Sequence, residues 1–384
     1  MTIPPRKIRV AHCIETVHLG GVEQKRLSIA TGLDPERYEQ MLICTKALGV
    51  IPDQLRAAGC PVNEIGTFRS RVDWRAIARA RRLLRAFRPD IVHGAVFEGV
   101  IVAALAGRAV RAPIVIGEET SDPLERRWSG HLFLRMLSTL CDRMVGVSPF
   151  VRDYLVKDLH IPAAKVALIS NGVAEVTPAD DATIRALKRT FGINDEHLLI
   201  GTVSRLLDSH KRVSDVIRAL QSIAAERPEI RLIIVGEGPD EIMLKALAGE
   251  LGVADKIVFA GYQGNPRPFY QLMDIFVHAA ASEAFGLVLV EAMLASLPVV
   301  ATRVGGIPGI VVDGETGLLI DPGQPGQLAS AIEKLAAQPA LRATMGTAGR
   351  DRARADFSDA RYVQDIENLY RGVIEQRLGG APLR

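Results

Sequence analysis

Short apolar runs separated by longer amphipathic stretches recur along the chain, and the alternation predicts strand, turn and helix in repeating order. In the first half the apolar runs predict strands at Ile8–Ile14, Gln40–Thr45, Val62–Ile65, Ile91–His93, Pro113–Gly117, Met144–Val147 and Val166–Ile169. Helical spacing predicts helices between them, at Val22–Thr31, Trp74–Phe87, Gly99–Gly107 and Trp128–Cys141. The runs are nearly continuous rather than alternating in polarity, as expected of strands covered on both faces. Strands and helices in this order imply a mostly parallel sheet flanked by helices.

The rhythm breaks at residues 174–181, where Pro178 and the Asp180–Asp181 pair read as a linker and a helix N-cap. A second series follows, with strands at Leu198–Val203, Arg231–Val235, Ile257–Ala260, Ile275–His278, Pro298–Thr302 and Gly317–Ile320. Its helices are Val213–Glu226, Asp240–Leu251, Leu287–Ala295 and Gln327–Ala337. The tail from Phe357 to about Gln376 is helical with no strand after it. The expected fold class is therefore α/β. Two Rossmann-like, doubly wound parallel-sheet domains, residues 1–176 and 177–356, would face each other across a cleft. The helix of residues 357–384 would cross back onto the first domain. A length of 384 residues suits two domains, and in such sheets ligands bind beyond the carboxyl ends of the strands.

Composition narrows this only a little. Hydrophobic residues are 48% and charged residues 24%, an ordinary globular balance. A net charge of +3 is too mild to argue for nucleic acid, and no nucleic-acid partner is expected. Arginines are nevertheless concentrated between Arg69 and Arg88. On the Trp74–Phe87 helix, Trp74, Ile77, Ala78, Leu84 and Phe87 share one side and arginines cover much of the rest. A basic amphipathic helix over Arg75–Arg88 can attract an anionic membrane; an ordinary core-packed helix with a solvated arginine face is the plainer reading. The four cysteines form no C-x-x-C pair and read as buried thiols in a reducing compartment. The start MTIPPRKIRVAHCIE lacks an apolar stretch and cleavage site, and no run approaches the ~20 apolar residues that span a bilayer. The expectation is a cytoplasmic protein, at most peripheral on the cytoplasmic face of the membrane.

Candidate chemistry lies in loops that follow the predicted strands. Gly20-Gly21 lets the backbone turn sharply and opens a helix whose N–H groups can receive an anion. Ser204-Arg205 ends a strand and Lys211 precedes a helix, so two cations would reach one strand end, as a diphosphate requires. Glu283 follows a strand, Gly286 opens the next helix, and Glu291 lies in its first turns among apolar neighbours. A carboxylate so placed needs a hydrogen-bonding partner, and sugar hydroxyls are suitable ones. Asn171-Gly172 reads first as a turn and hinge.

With these residues the chain resembles the large retaining glycosyltransferase family numbered four, of the GT-B fold. The resemblance runs through Gly20-Gly21, PDIVH at Pro89–His93, Val147-Ser148, ISNGV at Ile169–Val173, Arg205 with Lys211, and VGEGP at Val235–Pro239. It continues through Glu283 to Glu291 with FGL, PVVAT and VGG at Pro298–Gly306, and DGETGLL at Asp313–Leu319. It implies transfer of a hexose-type sugar from a nucleoside-diphosphate sugar to a hydroxyl, with retention of anomeric configuration. The acceptor would be a glycan or lipid-linked glycan of polysaccharide or glycolipid biosynthesis. Arg205 and Lys211 would hold the diphosphate and Glu291 the ribose. Glu283 would contact the transferred sugar, with the Phe285, Gly286 and Leu287 backbone near sugar and phosphate. Gly20 and Gly21 would lie near phosphate and acceptor. No Asp-x-Asp motif is present and no metal or resident cofactor is expected. Many relatives carry a histidine in the loop after the fifth strand of the first domain, where this chain reads IGEETSDP. Glu118 or Glu119 would take its place, or the contact would be absent; His18 is a further acceptor-side candidate, and His93 reads as structural. Two other readings share these residues: a nucleotide-sugar 2-epimerase on the same fold, and a non-catalytic nucleotide-sugar-binding partner subunit.

Overall fold

In the computed structural model, which describes residues 6–18, 20–123, 127–175 and 177–378, the predicted strands assemble into two separate parallel sheets. The first contains β1 (Ile8–Cys13), β2 (Tyr38–Cys44), β3 (Val62–Glu64), β4 (Ile91–Ala95), β5 (Ile114–Glu119), β6 (Arg143–Gly146) and β7 (Val166–Leu168). Their order across the sheet is β3-β2-β1-β4-β5-β6-β7. The second contains β8 (Leu198–Val203), β9 (Ile230–Val235), β10 (Ile257–Gly261), β11 (Ile275–His278), β12 (Val299–Thr302) and β13 (Gly317–Ile320), in the order β10-β9-β8-β11-β12-β13. Both orders reverse direction at the first strand, the doubly wound arrangement that opens a ligand crevice at that point. A two-stranded parallel pair, Thr16–Val17 with Lys46–Ala47, stands apart from both.

The chain divides into two compact units, residues 1–172 with 359–384, and residues 173–358. The helices used below are α1 (Gly21–Gly32), α2 (Trp74–Phe87), α3 (Trp128–Thr139), α4 (Leu287–Leu294) and α5 (Asp359–Leu378). The returning helix α5 is part of the first unit because its apolar stripe, Tyr362, Val363, Ile366, Tyr370 and Val373, joins the core formed by Val10, Ile29, Ile91 and Ile114. The second unit's core is made by Ile200, Leu232, Ile234, Ile275 and Val277 of its central strands, closed by Val216, Leu220 and Leu328.

Several expectations need correction. Strand β5 runs two residues beyond its predicted end, so Glu118 and Glu119 are strand residues and both are buried, not loop residues. In α2 the buried face is Ala76, Ile77, Ala80 and Leu84, and Trp74 is 68% exposed. Trp74 is the first residue after the Asp73 cap, whose side chain accepts from the Arg75 and Ala76 N–H groups at 2.9 and 3.1 Å. The helix after β4 begins at Val96, three residues before the predicted Gly99. The helix Pro339–Asp356 goes beyond the predicted elements: its arginine-rich sequence has only Met345, Gly346, Gly349 and Ala353 buried, too thin a stripe to read. All four cysteines are buried free thiols, and burial pushes those of Cys44, Cys60 and Cys141 up to about 12.

Candidate active site

The second unit gathers polar groups where its central strands end. β8 and β11 are neighbours, with Ile200 paired to Ile275 and Gly201 to Phe276, so the segments that follow them leave the sheet side by side. After β8 come Ser204 and the exposed Arg205, then a single helical turn, Asp208–Lys211. After β11 the chain runs through Ala279–Ser282 to Glu283. The Ala281 N–H donates to the His210 carbonyl at 2.8 Å and fastens the two segments together.

Lys211 and Glu283 therefore meet. Lys211 Nζ lies 2.7 Å from Glu283 Oε2, and His278 Nε2, at the end of β11, lies 3.1 Å from the same oxygen. Burial alone would raise the Glu283 carboxyl. The His278 hydrogen bond and the Lys211 charge outweigh it and hold the group at about 2, so it is ionised at neutral pH. The Gly306 N–H donates to the Glu283 carbonyl at 2.8 Å, which fixes the main chain at the same residue.

Two close backbone approaches shape these loops. Gly236 has φ +132, and a Cβ there would lie 1.9 Å from the Ser204 carbonyl oxygen. Gly305 has φ +50, and its Cβ would lie 2.0 Å from the Glu283 carbonyl oxygen. Both contacts are with backbone, which cannot swing aside. Gly236→Ala is accordingly expected to destabilise the protein by at least about 1–3 kcal/mol, the usual cost of such backbone strain, and to displace the Arg205 segment. Gly249→Ala is the control: a Cβ there meets nothing within 4 Å, and Ala is the better helix former by up to about 1 kcal/mol. Urea denaturation of the two variants checks this, with opposite signs expected.

Helix α4 starts immediately beyond Glu283. Gly286 precedes it with φ +107, Leu287 is its first residue, and Phe285 is buried beside them. One turn along, Glu291 accepts a hydrogen bond from the buried Tyr270 hydroxyl, Oη to Oε2 2.7 Å. Burial and the Glu291 charge push the Tyr270 phenol well above its ordinary value, so it remains a donor. Glu291 and Tyr270 also line a cavity of about 210 Å³ together with Arg267, Gln271 and Leu294. Lys211 and Glu283 lie outside that lining.

The remaining sequence candidates belong to the first unit. Gly20 precedes α1 and Gly21 is its first residue, but the Glu23 carboxylate folds back over Gly20, where a Cβ would lie 2.4 Å from Glu23 Oε2. His18 is exposed beside this turn. Glu119 accepts from the Ser121 N–H at 2.9 Å. Glu118 is 2% exposed and is ion-paired with the fully buried Arg26, with His93 Nε2 3.1 Å away. The expectation that Glu118 replaces a loop histidine is corrected: β5 carries it into the interior, where it neutralises Arg26. His93, whose Nδ1 lies 2.8 Å from the Tyr370 hydroxyl, is buried in the same cluster.

Sequence reasoning missed His278 and Tyr270. The signal for His278 was a polar residue closing an otherwise apolar strand, IFVH. Tyr270 left none beyond one hydroxyl in RPFYQL. Among the described residues no group of three or more His, Cys, Asp or Glu could hold a metal ion.

Two units with this strand order, a Gly-rich turn opening α1 and a cation–glutamate pair ahead of α4, define a GT-B protein. The chain belongs to glycosyltransferase family 4. The family model described as Glycosyltransferase Family 4 matches residues 19–175, and that described as Glycosyl transferases group 1 matches residues 183–352. Among similar proteins, N-acetyl-alpha-D-glucosaminyl L-malate synthase of Bacillus anthracis is 31% identical over 50% of this chain and 50% of its own length. The GDP-mannose-dependent alpha-(1-6)-phosphatidylinositol monomannoside mannosyltransferase of Mycolicibacterium smegmatis is 32% identical over 56% of this chain and 59% of its own. The matches thus span about half the length of these curated relatives. Among solved structures, Anabaena HepE in complex with UDP and glucose superposes with a TM-score of 0.84 at 21% identity, covering 95% of this chain and 100% of that one. That likeness establishes the shared fold.

Proposed function

We propose that the protein is a retaining glycosyltransferase that moves a hexose-type sugar from a nucleoside-diphosphate sugar to a hydroxyl of a glycan or lipid-linked glycan. The observation that carries this reading is the Lys211–Glu283–His278 cluster at the strand ends ahead of α4. Arg205 and Lys211 hold the diphosphate and Glu291 the ribose. Glu283 receives a hydroxyl of the sugar, with the Phe285–Leu287 backbone beside it. Gly20 and Gly21 serve the phosphate and acceptor side. As the sugar becomes oxocarbenium-like, negative charge grows on the leaving phosphate, and fixed cations and helix N–H groups stabilise that charge selectively. Such a site requires no metal. A front-face displacement, in which the leaving phosphate takes the acceptor's proton, gives retention without a carboxylate nucleophile.

A thermal-shift screen over UDP-, GDP- and ADP-sugars tests the reading without an acceptor. A donor at a hundred times its Kd stabilises the native state by about 2.7 kcal/mol, and one of the three series is expected to do so. If none shifts the transition, the reading fails. Product analysis with donor alone separates it from a 2-epimerase, which needs no acceptor.

The acceptor side includes a membrane contact in this proposal. Trp74 at the start of α2 and Trp128 at the start of α3 are 68% and 78% exposed, and Leu132 and Met136 continue the α3 stripe. Arg71, in the bend before α2, reaches α3, its guanidinium 5.7 Å from the Phe133 ring centroid and 3.2 Å from Ser129 Oγ. Exposed Trp beside Arg suits a headgroup layer. Co-sedimentation with anionic vesicles is expected, and loss of it when Arg79, Arg81, Arg82 and Arg85 become Glu; wild type remaining in solution would remove this part. Among the described residues no helix is long and apolar enough to cross a membrane.

A further inference from the structure

The proposed roles of Lys211 and Glu283 compete. Lys211 is needed at the diphosphate, yet it is the ion-pair partner of the carboxylate that must face the sugar. A flexible ammonium shared between two anions does not fix the orientation of either. Something else has to hold Glu283 while Lys211 turns to phosphate.

We propose that His278 is the positioning residue that fixes Glu283, and thereby selects which carboxylate oxygen meets the sugar. This deepens the donor-site reading and rests on it. His278 is buried at the end of β11, a strand flanked on both sides by β8 and β12. Its ring lies nearly parallel to that of Phe276, with an interplanar angle of 12°. A ring with two torsions, packed on a central strand, loses little further freedom when it donates. Its Nε2–H donates to Oε2, the oxygen that Lys211 also reaches. Two donors fill the usual capacity of Oε2, whereas Oε1 has no hydrogen bond to any described residue. With the main chain held by Gly306, the carboxylate cannot roll, and Oε1 is the atom presented to a sugar hydroxyl. When Lys211 moves toward phosphate, His278 remains as a donor to Oε2 and keeps that orientation.

The test compares His278→Gln, which places an amide N–H near the position of Nε2, with His278→Phe, which keeps an aromatic ring and donates nothing. Titrations with the nucleoside diphosphate and with the nucleotide sugar are read alongside kcat and the thermal midpoint. His278→Phe is expected to lower kcat roughly ten- to hundredfold, the size of one hydrogen bond to a charged group. It should also weaken the nucleotide sugar relative to the nucleoside diphosphate, whose own affinity stays within about twofold. His278→Gln should recover most of both losses. Equal loss of affinity for both ligands, unchanged kcat in His278→Phe, or no difference between the two variants overturns the inference. If wild type binds neither ligand, the donor-site reading itself fails, an outcome distinct from these. Should His278→Phe not fold, the kcat and affinity ratio of His278→Gln against wild type decide, since near-wild-type values are required.

Discussion

Arg26→Ala is expected to cost about 3–5 kcal/mol of stability, because it leaves a buried carboxylate without its counter-charge. Arg26 is fully buried on α1, ion-paired with Glu118 of β5 and 3.4 Å from the Tyr362 hydroxyl of α5. One guanidinium thus joins a helix, a central strand and the returning C-terminal helix of the same unit. Burial would raise the Glu118 carboxyl; the Arg26 charge and His93 overcome it and hold the group at about 2, against an ordinary 4.5. A depressed carboxylate stabilises the fold above its unfolded value and loses that contribution as the pH falls toward the folded one. The Arg26–Glu118 pair should therefore support the fold fully above about pH 4.5 and fade toward pH 2. Denaturant midpoints at neutral pH check the Arg26→Ala loss. Adding Glu118→Leu to Arg26→Met should restore most of it, since an apolar pair of similar volume often matches a buried ion pair. A loss below about 1 kcal/mol, the scale of a surface pair, would show that the cluster is solvated.

Lys211→Ala should carry the largest functional effect. The variant removes the cation assigned to the diphosphate and takes one of two donors from Glu283. Nucleoside-diphosphate affinity is expected to fall about ten- to hundredfold, the value of one hydrogen bond between charged groups. The ratio kcat/KM should fall by about 10²–10³, because charge on the leaving phosphate is greatest in the transition state. Isothermal titration and initial rates measure the two quantities separately. Affinity equal to wild type would remove Lys211 from the donor site.

Much of this architecture was legible because the central strands of both sheets, such as Ile91–Ala95 and Ile275–His278, are buried along their whole length. Nearly continuous apolar runs such as Leu198–Val203 fit such doubly covered strands. The loops that carry chemistry were legible for a related reason: glycines such as Gly286 and Gly305 mark positive φ, and polar residues there have no core to join. What stayed hidden depended on partners distant in sequence. Glu118 reads as an exposed acid in EETSDP until Arg26, 92 positions earlier, is brought against it. Trp74 reads as core because α2 is amphipathic, but the buried face of the helix begins with Ala76 and Ile77. Tyr270 and His278 are single polar atoms at the ends of apolar elements, and their meaning comes from the glutamates they touch.

A crystal structure of the protein with the nucleoside diphosphate of its stabilising donor is the most direct measurement. The account predicts phosphate oxygens within hydrogen-bonding distance of Arg205 and Lys211, and ribose hydroxyls on Glu291. A nucleotide bound elsewhere, with Lys211 still closed on Glu283 and Glu291 untouched, would contradict it.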